Sequence, residues 1–132
     1  MKVNDRDGQI LQHIVVYCDE VNNTIKRFGK SKRSFETDYI YRNAVSMPIL
    51  QIGELAKRLS DDFLKESTDI PWRAIKGMRN MFAHEYHSMN IDKIWETATE
   101  DIPILNKKCK QILKENKIDI PKIPVRNVGR SR

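Results

Sequence analysis

The chain has 132 residues, which suits one compact domain, and no apolar run approaches the roughly 18 residues of a membrane span. Hydrophobic residues make up 39% and the mean hydropathy is −0.61, as expected for a small soluble protein with much surface. The net charge is +6, but +4 of it lies in residues 117–132, where Lys117, Lys122, Arg126, Arg130 and Arg132 outnumber one anion, Asp119; a body at +2 permits nucleic-acid binding without demonstrating it.

The first residues carry no apolar signal-peptide core, so a cytoplasmic location is expected. Two cysteines, Cys18 and Cys109, fall on apolar helix faces far apart in sequence and read as small buried thiols. From Asp5 to Phe28, Ile10, Ile14, Tyr17, Cys18, Val21, Ile25 and Phe28 recur at three- and four-residue steps, predicting a first helix that Gly29 stops. His13 lies beside that stripe and reads as a packing or surface residue.

Residues 30–34 read as a short basic loop. A second helix is predicted over 35–59, with Ile40, Ala44, Met47, Ile52, Leu55, Ala56 and Leu59 as its core face. Pro48 lies inside it and should kink or split it. Glu54 and Arg58 stand four apart in the order that favours an ion pair. Asp61 is expected to cap a short helical turn that ends at Glu66.

The stretch 71–87 reads as one helix, begun by Pro71 at its first position. Ile75, Met78 and Phe82 give it an apolar face, while Arg73, Lys76, Asn80, His84 and His87 share a polar stripe. Arg79 falls between the two, nearly in line with Tyr86, and must snorkel outward to reach the stripe. On a straight helix Arg79 and His84 point about 140° apart. A bent helix end, a long arginine reach or a second copy of the helix would bring them together; the last option predicts a homodimer. Gly77 inside this helix costs about 1 kcal/mol against alanine, which suggests close approach of another helix or a ligand.

Asn90 is a good cap for a last helix that ends near Asn116. Its core stripe is Ile91, Ile94, Trp95, Ala98, Ile102, Leu105, Cys109, Ile112 and Leu113, and Pro103 should bend it. Pro121 and Pro124 then imply an extended basic tail. No strand pattern, repeat or glycine-rich phosphate loop is present. The expected fold is an all-α antiparallel bundle of four to five helices over residues 1–116, followed by the tail 117–132.

Arg79-Asn80, three residues, His84, one residue, Tyr86 resembles the Arg-x-x-x-x-His-x-Tyr signature of HepT-type ribonuclease toxins in the HEPN superfamily. Ile70-Pro71-Trp72 and Gly77-Met78 before it, and Ile94-Trp95 and Asp101-Ile102-Pro103 after it, resemble the same family, as does Ile52-Gly53-Glu54-Leu55-Ala56. The likeness spans roughly residues 10–113. It implies a metal-independent endoribonuclease toxin of a toxin–antitoxin system, acting on RNA (tRNA or mRNA). It also implies that a nucleotidyltransferase antitoxin of the MntA type neutralises the toxin by adenylylating Tyr86. In this family the glutamate at position 54 sits near the site; an ordinary surface pair with Arg58 is the other reading.

The residues suit that chemistry. RNA carries an internal nucleophile, its 2′-OH, so cleavage needs a base, an acid and a cation for the charge that builds on phosphorus. His84 suits the acid–base work, with an unperturbed pKa of about 6.5. Arg79 suits the phosphate, since its planar fork stays charged. Asn80 is a supporting hydrogen-bonding group, and Arg73, Lys76 and His87 are candidate RNA contacts. His84 and His87 are three apart, not four, and no further histidine or cysteine cluster is present, so neither a metal nor another cofactor is expected. The alternative is a non-catalytic HEPN subunit that binds and regulates a nucleotidyltransferase partner. A third reading, a general nucleic-acid-binding helical module, rests on the basic tail alone.

Overall fold

The computed structural model describes residues 1–85 and 90–123, and for residues 81–85 the helix without its side chains. In chain order the elements are α1 (Asp5–Phe28), α2 (Lys32–Thr37), α3 (Tyr39–Ala56), α4 (Asp61–Glu66), α5 (Trp72–Glu85), α6 (Ile91–Glu96), a π-helical turn (Thr97–Asp101) and α7 (Ile102–Glu115). No strand occurs among the described residues. α3 packs on both α1 and α5, α1 also packs on α7, and α5 meets the π-turn. Four long segments, α1, α3, α5 and the run from α6 through α7, thus make the all-α bundle that the periodicity predicts, and α2 and α4 join them.

Local chemistry sets the ends. Asn4 caps α1, its side chain accepting from the Asp7 N–H, and Gly29 closes it at φ 93°, donating its N–H to the Ile25 carbonyl at 2.8 Å. The loop expected over 30–34 is partly helix. Ser31 accepts from the Ser34 N–H at 3.2 Å, and the α2 that follows buries Phe35 against Tyr41 and Trp95. Asp38 ends α2 and caps α3, accepting from the Ile40 and Tyr41 N–H groups. The break in the expected second helix therefore falls at Asp38. Pro48, buried in the middle of α3, does not split it.

The core face of α3 also differs from expectation. Tyr41, Val45, Ile49, Ile52 and Ala56 are buried, whereas Ile40 and Met47 are 57% and 56% exposed. Tyr41 wins the core because its ring stacks on Phe28 at 4.7 Å while its hydroxyl donates to the Gly29 carbonyl at 3.0 Å. Ser60, not Asp61, caps α4, and it also holds buried Asp7 of α1: Ser60 N–H and Oγ donate to the Asp7 carboxylate at 3.0 and 2.6 Å.

Asn90 caps α6 as expected, accepting from the Lys93 N–H at 3.1 Å. The bend expected at Pro103 appears as the π-turn just before it. Pro103 has no N–H to continue the ladder, and the Ile102 N–H reaches back to Thr97 instead. Ile94, Ala98, Ile102, Leu105, Cys109, Ile112 and Leu113 are buried, and both cysteines are free and buried. After α7, Lys117 turns at φ 57° and the Ile118 N–H donates to the Leu113 carbonyl at 2.9 Å. Ile118 then rests over Gly8, and the Asp119 carbonyl accepts from Gln12 at 2.9 Å, so the chain beyond α7 begins against α1.

Candidate functional site

α5 carries the candidate residues, and its start is pinned. The Ile75 N–H donates to the Pro71 carbonyl at 3.1 Å, so Pro71 takes the position just outside the helix rather than the first one inside it. Trp72 Nε1 donates to Ser67 Oγ at 2.8 Å, and Ser67 Oγ donates to the Phe63 carbonyl at 2.7 Å, all within the buried seam between α4 and α5. Ile75 and Met78 are buried as the periodicity requires. Their burial fixes the rotation of α5 and leaves Arg79 at the rim of the core.

At that rim α5 crosses α3 closely. A Cβ built on buried Gly53 would lie 2.9 Å from Arg79 Cβ and 3.2 Å from the Ile75 carbonyl oxygen. Only a residue without a side chain lets the two backbones meet here. The crossing brings Arg79 beside Glu54, the next residue on α3. Arg79 Nε donates to Glu54 Oε1, and Arg79 Nη1 stands 3.5 Å from Asn80 Oδ1, the outer limit of a hydrogen bond. Glu54 thus pairs across the bundle with Arg79, and not with Arg58 along its own helix. The hydrogen bond from Arg79 holds the Glu54 carboxyl below its usual range, against a smaller opposing effect of desolvation. The Nε edge of the guanidinium is occupied; the Nη edge turns toward Asn80 and the polar stripe.

Arg73, Lys76, Gly77 and Asn80 follow along that stripe, with Arg73 and Asn80 exposed and Lys76 half-buried. With Leu64 and Trp72 they line an open groove of about 500 Å³. Gly77 does not mark an intramolecular helix crossing, because among the described residues nothing lies within 4 Å of a Cβ built on it. His84 belongs to α5, one helical turn past Asn80, but its side chain lies outside the described residues, as do Tyr86 and His87 entirely. His13 is exposed on α1. No group of three histidine, cysteine or acidic side chains able to hold a metal ion occurs among the described residues. The part Gly53 plays emerges only in the structure; its signal in the sequence is no more than a glycine directly before an acid.

Residues 17–112 match the family model described as ribonuclease HepT-like. The chain belongs to the HepT-like ribonuclease family. A relative from Caldanaerobacter subterraneus, named as a candidate RNase, is 36% identical over 81% of this chain and 94% of its own length. A second, also named as a candidate RNase and from Methanocaldococcus jannaschii, is 29% identical over 80% of this chain and 85% of its own. A protein from Thermococcus cleftensis named "Probable ribonuclease HepT" is 36% identical over 48% of this chain and 57% of its own. No solved structure matches the chain at a significant level. The family match covers Glu54, Arg79, Asn80, His84 and Tyr86 together, and the all-α bundle is the fold the family resemblance implies. Among the described residues no helix is long and apolar enough to cross a membrane.

Proposed function

We propose that this HepT-like chain is a metal-independent endoribonuclease toxin whose reaction is carried by Arg79 and His84. The observation that supports it most is the geometry of Arg79: a guanidinium fixed at Nε by Glu54, with its Nη edge beside Asn80, on the helix that carries His84. A guanidinium held from behind in this way presents two N–H groups to a phosphate without first having to be ordered. In the reaction, the RNA 2′-oxygen attacks phosphorus, the bond to the 5′-oxygen breaks, and a 2′,3′-cyclic phosphate forms. One His84 takes the 2′-OH proton and a second returns a proton to the departing 5′-oxygen. Arg79 meets the charge that peaks on the phosphorane, where stabilisation lowers the barrier most.

The second His84 comes from a second copy of the chain. A feature of α3 supports a homodimer. Ile40, Ala44, Met47, Gln51 and Glu54 share one face of the helix; Ile40 and Met47 are more than half exposed, and the row runs straight to the Glu54–Arg79 pair. A two-fold contact along this row covers the apolar residues and sets two Arg79 groups beside one cleft. Glu54 is a positioning residue in this reading. Tyr86, seven residues past Arg79, is the residue a nucleotidyltransferase antitoxin would adenylylate, releasing pyrophosphate from ATP. The added AMP sets bulk and negative charge near Arg79 and so excludes RNA phosphates.

The test in cells is growth on induction. Wild-type expression should arrest growth, and Arg79→Ala or His84→Ala should abolish the arrest; toxicity that survives both substitutions refutes the assignment. Mixed dimers with one His84→Ala subunit should lose most activity. A single-histidine mechanism would instead retain about half in such dimers.

A further inference from the structure

The groove beside Asn80 has no role in the reaction outlined above, yet it has a definite chemical character. Its wall is apolar: half-buried Leu64 on α4 and the edge of Trp72, whose ring is locked by the hydrogen bond to Ser67. Its rim is cationic: Arg73 and Lys76 are within the lining, and neither has a carboxylate partner within 4.0 Å among the described residues. Its floor is Gly77, exposed, where a Cβ would meet nothing within 4 Å among the described residues. A helix interior gains stability from almost any other residue at such a position, so the fold itself does not require this glycine. The groove ends at Asn80, whose Oδ1 faces Arg79 Nη1. From Arg73 to Asn80 it runs about 10 Å along the helix axis at 1.5 Å per residue, far enough for its two ends to serve different phosphates of one strand.

We infer that this groove seats a nucleotide flanking the scissile bond of an RNA strand, its phosphate on Arg73 and Lys76 and its base against the Leu64–Trp72 wall. The inference rests on the ribonuclease reading and extends it to substrate length. A cationic groove that follows the backbone is the sequence-tolerant part of single-strand binding, and the Leu64–Trp72 wall gives a base apolar surface to lie against. Trp72, 7% exposed, adds only a narrow apolar strip beside half-buried Leu64, and it offers no hydrogen-bond readout because its one N–H is already given to Ser67.

The experiment compares Gly77→Leu with the wild-type dimer on two substrates, an oligoribonucleotide and a dinucleotide too short to enter the groove. Leucine fills the groove from its floor without disturbing the core, which far-UV circular dichroism and urea unfolding verify. Expected for the oligoribonucleotide is a KM about tenfold higher or more with kcat retained; dinucleotide cleavage should be unchanged. Arg73→Ala with Lys76→Ala should likewise raise the KM for the oligoribonucleotide and flatten the dependence of log affinity on log salt by about 0.7, the share of one phosphate. An unchanged KM for the oligoribonucleotide overturns the proposal, as does an equal loss on both substrates. Dissociation of the Gly77→Leu dimer, read by light scattering, also overturns it, because the face would then belong to a subunit contact. If the wild type cuts neither substrate, the ribonuclease reading fails instead. The groove is then judged on oligoribonucleotide binding by fluorescence anisotropy, where Gly77→Leu must weaken affinity at least tenfold and equal affinity overturns it.

Discussion

Two glycines in two helices should respond in opposite directions to the same substitution. At Gly53 an alanine Cβ would lie 2.9 Å from Arg79 Cβ and 3.2 Å from the Ile75 carbonyl, both set by backbone rather than by the free end of a side chain. Ordinary contact begins at about 3.4 Å, so α5 must retreat by several tenths of an ångström or the crowding stays; overpacking of this kind costs about 1–3 kcal/mol. Alanine returns about 1 kcal/mol through helix propensity, leaving Gly53→Ala destabilised by about 0–2 kcal/mol. At Gly77 no crowding from the described residues opposes that gain, so Gly77→Ala should be stabilised by about 1 kcal/mol. Urea unfolding of both variants beside the wild type measures the difference, about 1–3 kcal/mol between them. Gly53→Ala should also lose ribonuclease activity out of proportion to its stability, because a shift of α5 moves Arg79 relative to Glu54. Equal, same-sign changes in the two variants would refute the close-crossing account of Gly53.

Further outcomes follow from named contacts. Glu54→Ala should lower kcat about 100-fold by releasing the guanidinium from its oriented position, with Glu54→Gln recovering part of the loss. Because Arg79 depresses the Glu54 carboxyl, the pair adds stability above the carboxyl's ordinary value near 4.5 and loses it as pH falls through the depressed value; the acid-side fall of Tm should therefore be shallower in Glu54→Gln. Asp7→Ala should destabilise the fold by about 1–3 kcal/mol in urea unfolding, since it removes the buried carboxylate that accepts from two Ser60 donors. Burial raises the Cys18 thiol and pushes Cys109 up to about 12, so neither should react with iodoacetamide at pH 8 until the protein unfolds.

Which parts of this molecule can be read before the structure depends on how far each signal travels along the chain. α1 is legible to its last residue, because one stripe, a side-chain cap and a glycine with positive φ all act within a few positions of each other. The last helical run is equally plain, and the π-turn is the form that the Pro103 bend takes. α3 is not, because apolar residues cover nearly its whole circumference. Ile40, Ala44 and Met47 repeat as regularly as Tyr41, Val45 and Ile49, and only the neighbouring α1 and α5 decide which row is buried. The Glu54–Arg58 pairing fails for a related reason. A partner four residues away is visible in sequence, whereas Arg79 lies 25 residues on and reaches Glu54 only through the crossing at Gly53. The Arg79, Asn80, His84 and Tyr86 pattern, by contrast, is short-range and visible in the sequence alone.

RNA cleavage that needs Arg79 and His84 and no metal is the central claim. The most direct measurement is end-group analysis of an oligoribonucleotide incubated with purified protein in excess EDTA, beside the Arg79→Ala and His84→Ala variants. Expected are fragments ending in 2′,3′-cyclic phosphate, with rates lowered about 100-fold or more in either variant. Fragments with 3′-hydroxyl ends, cleavage only after metal is restored, or undiminished cutting by both variants would contradict it.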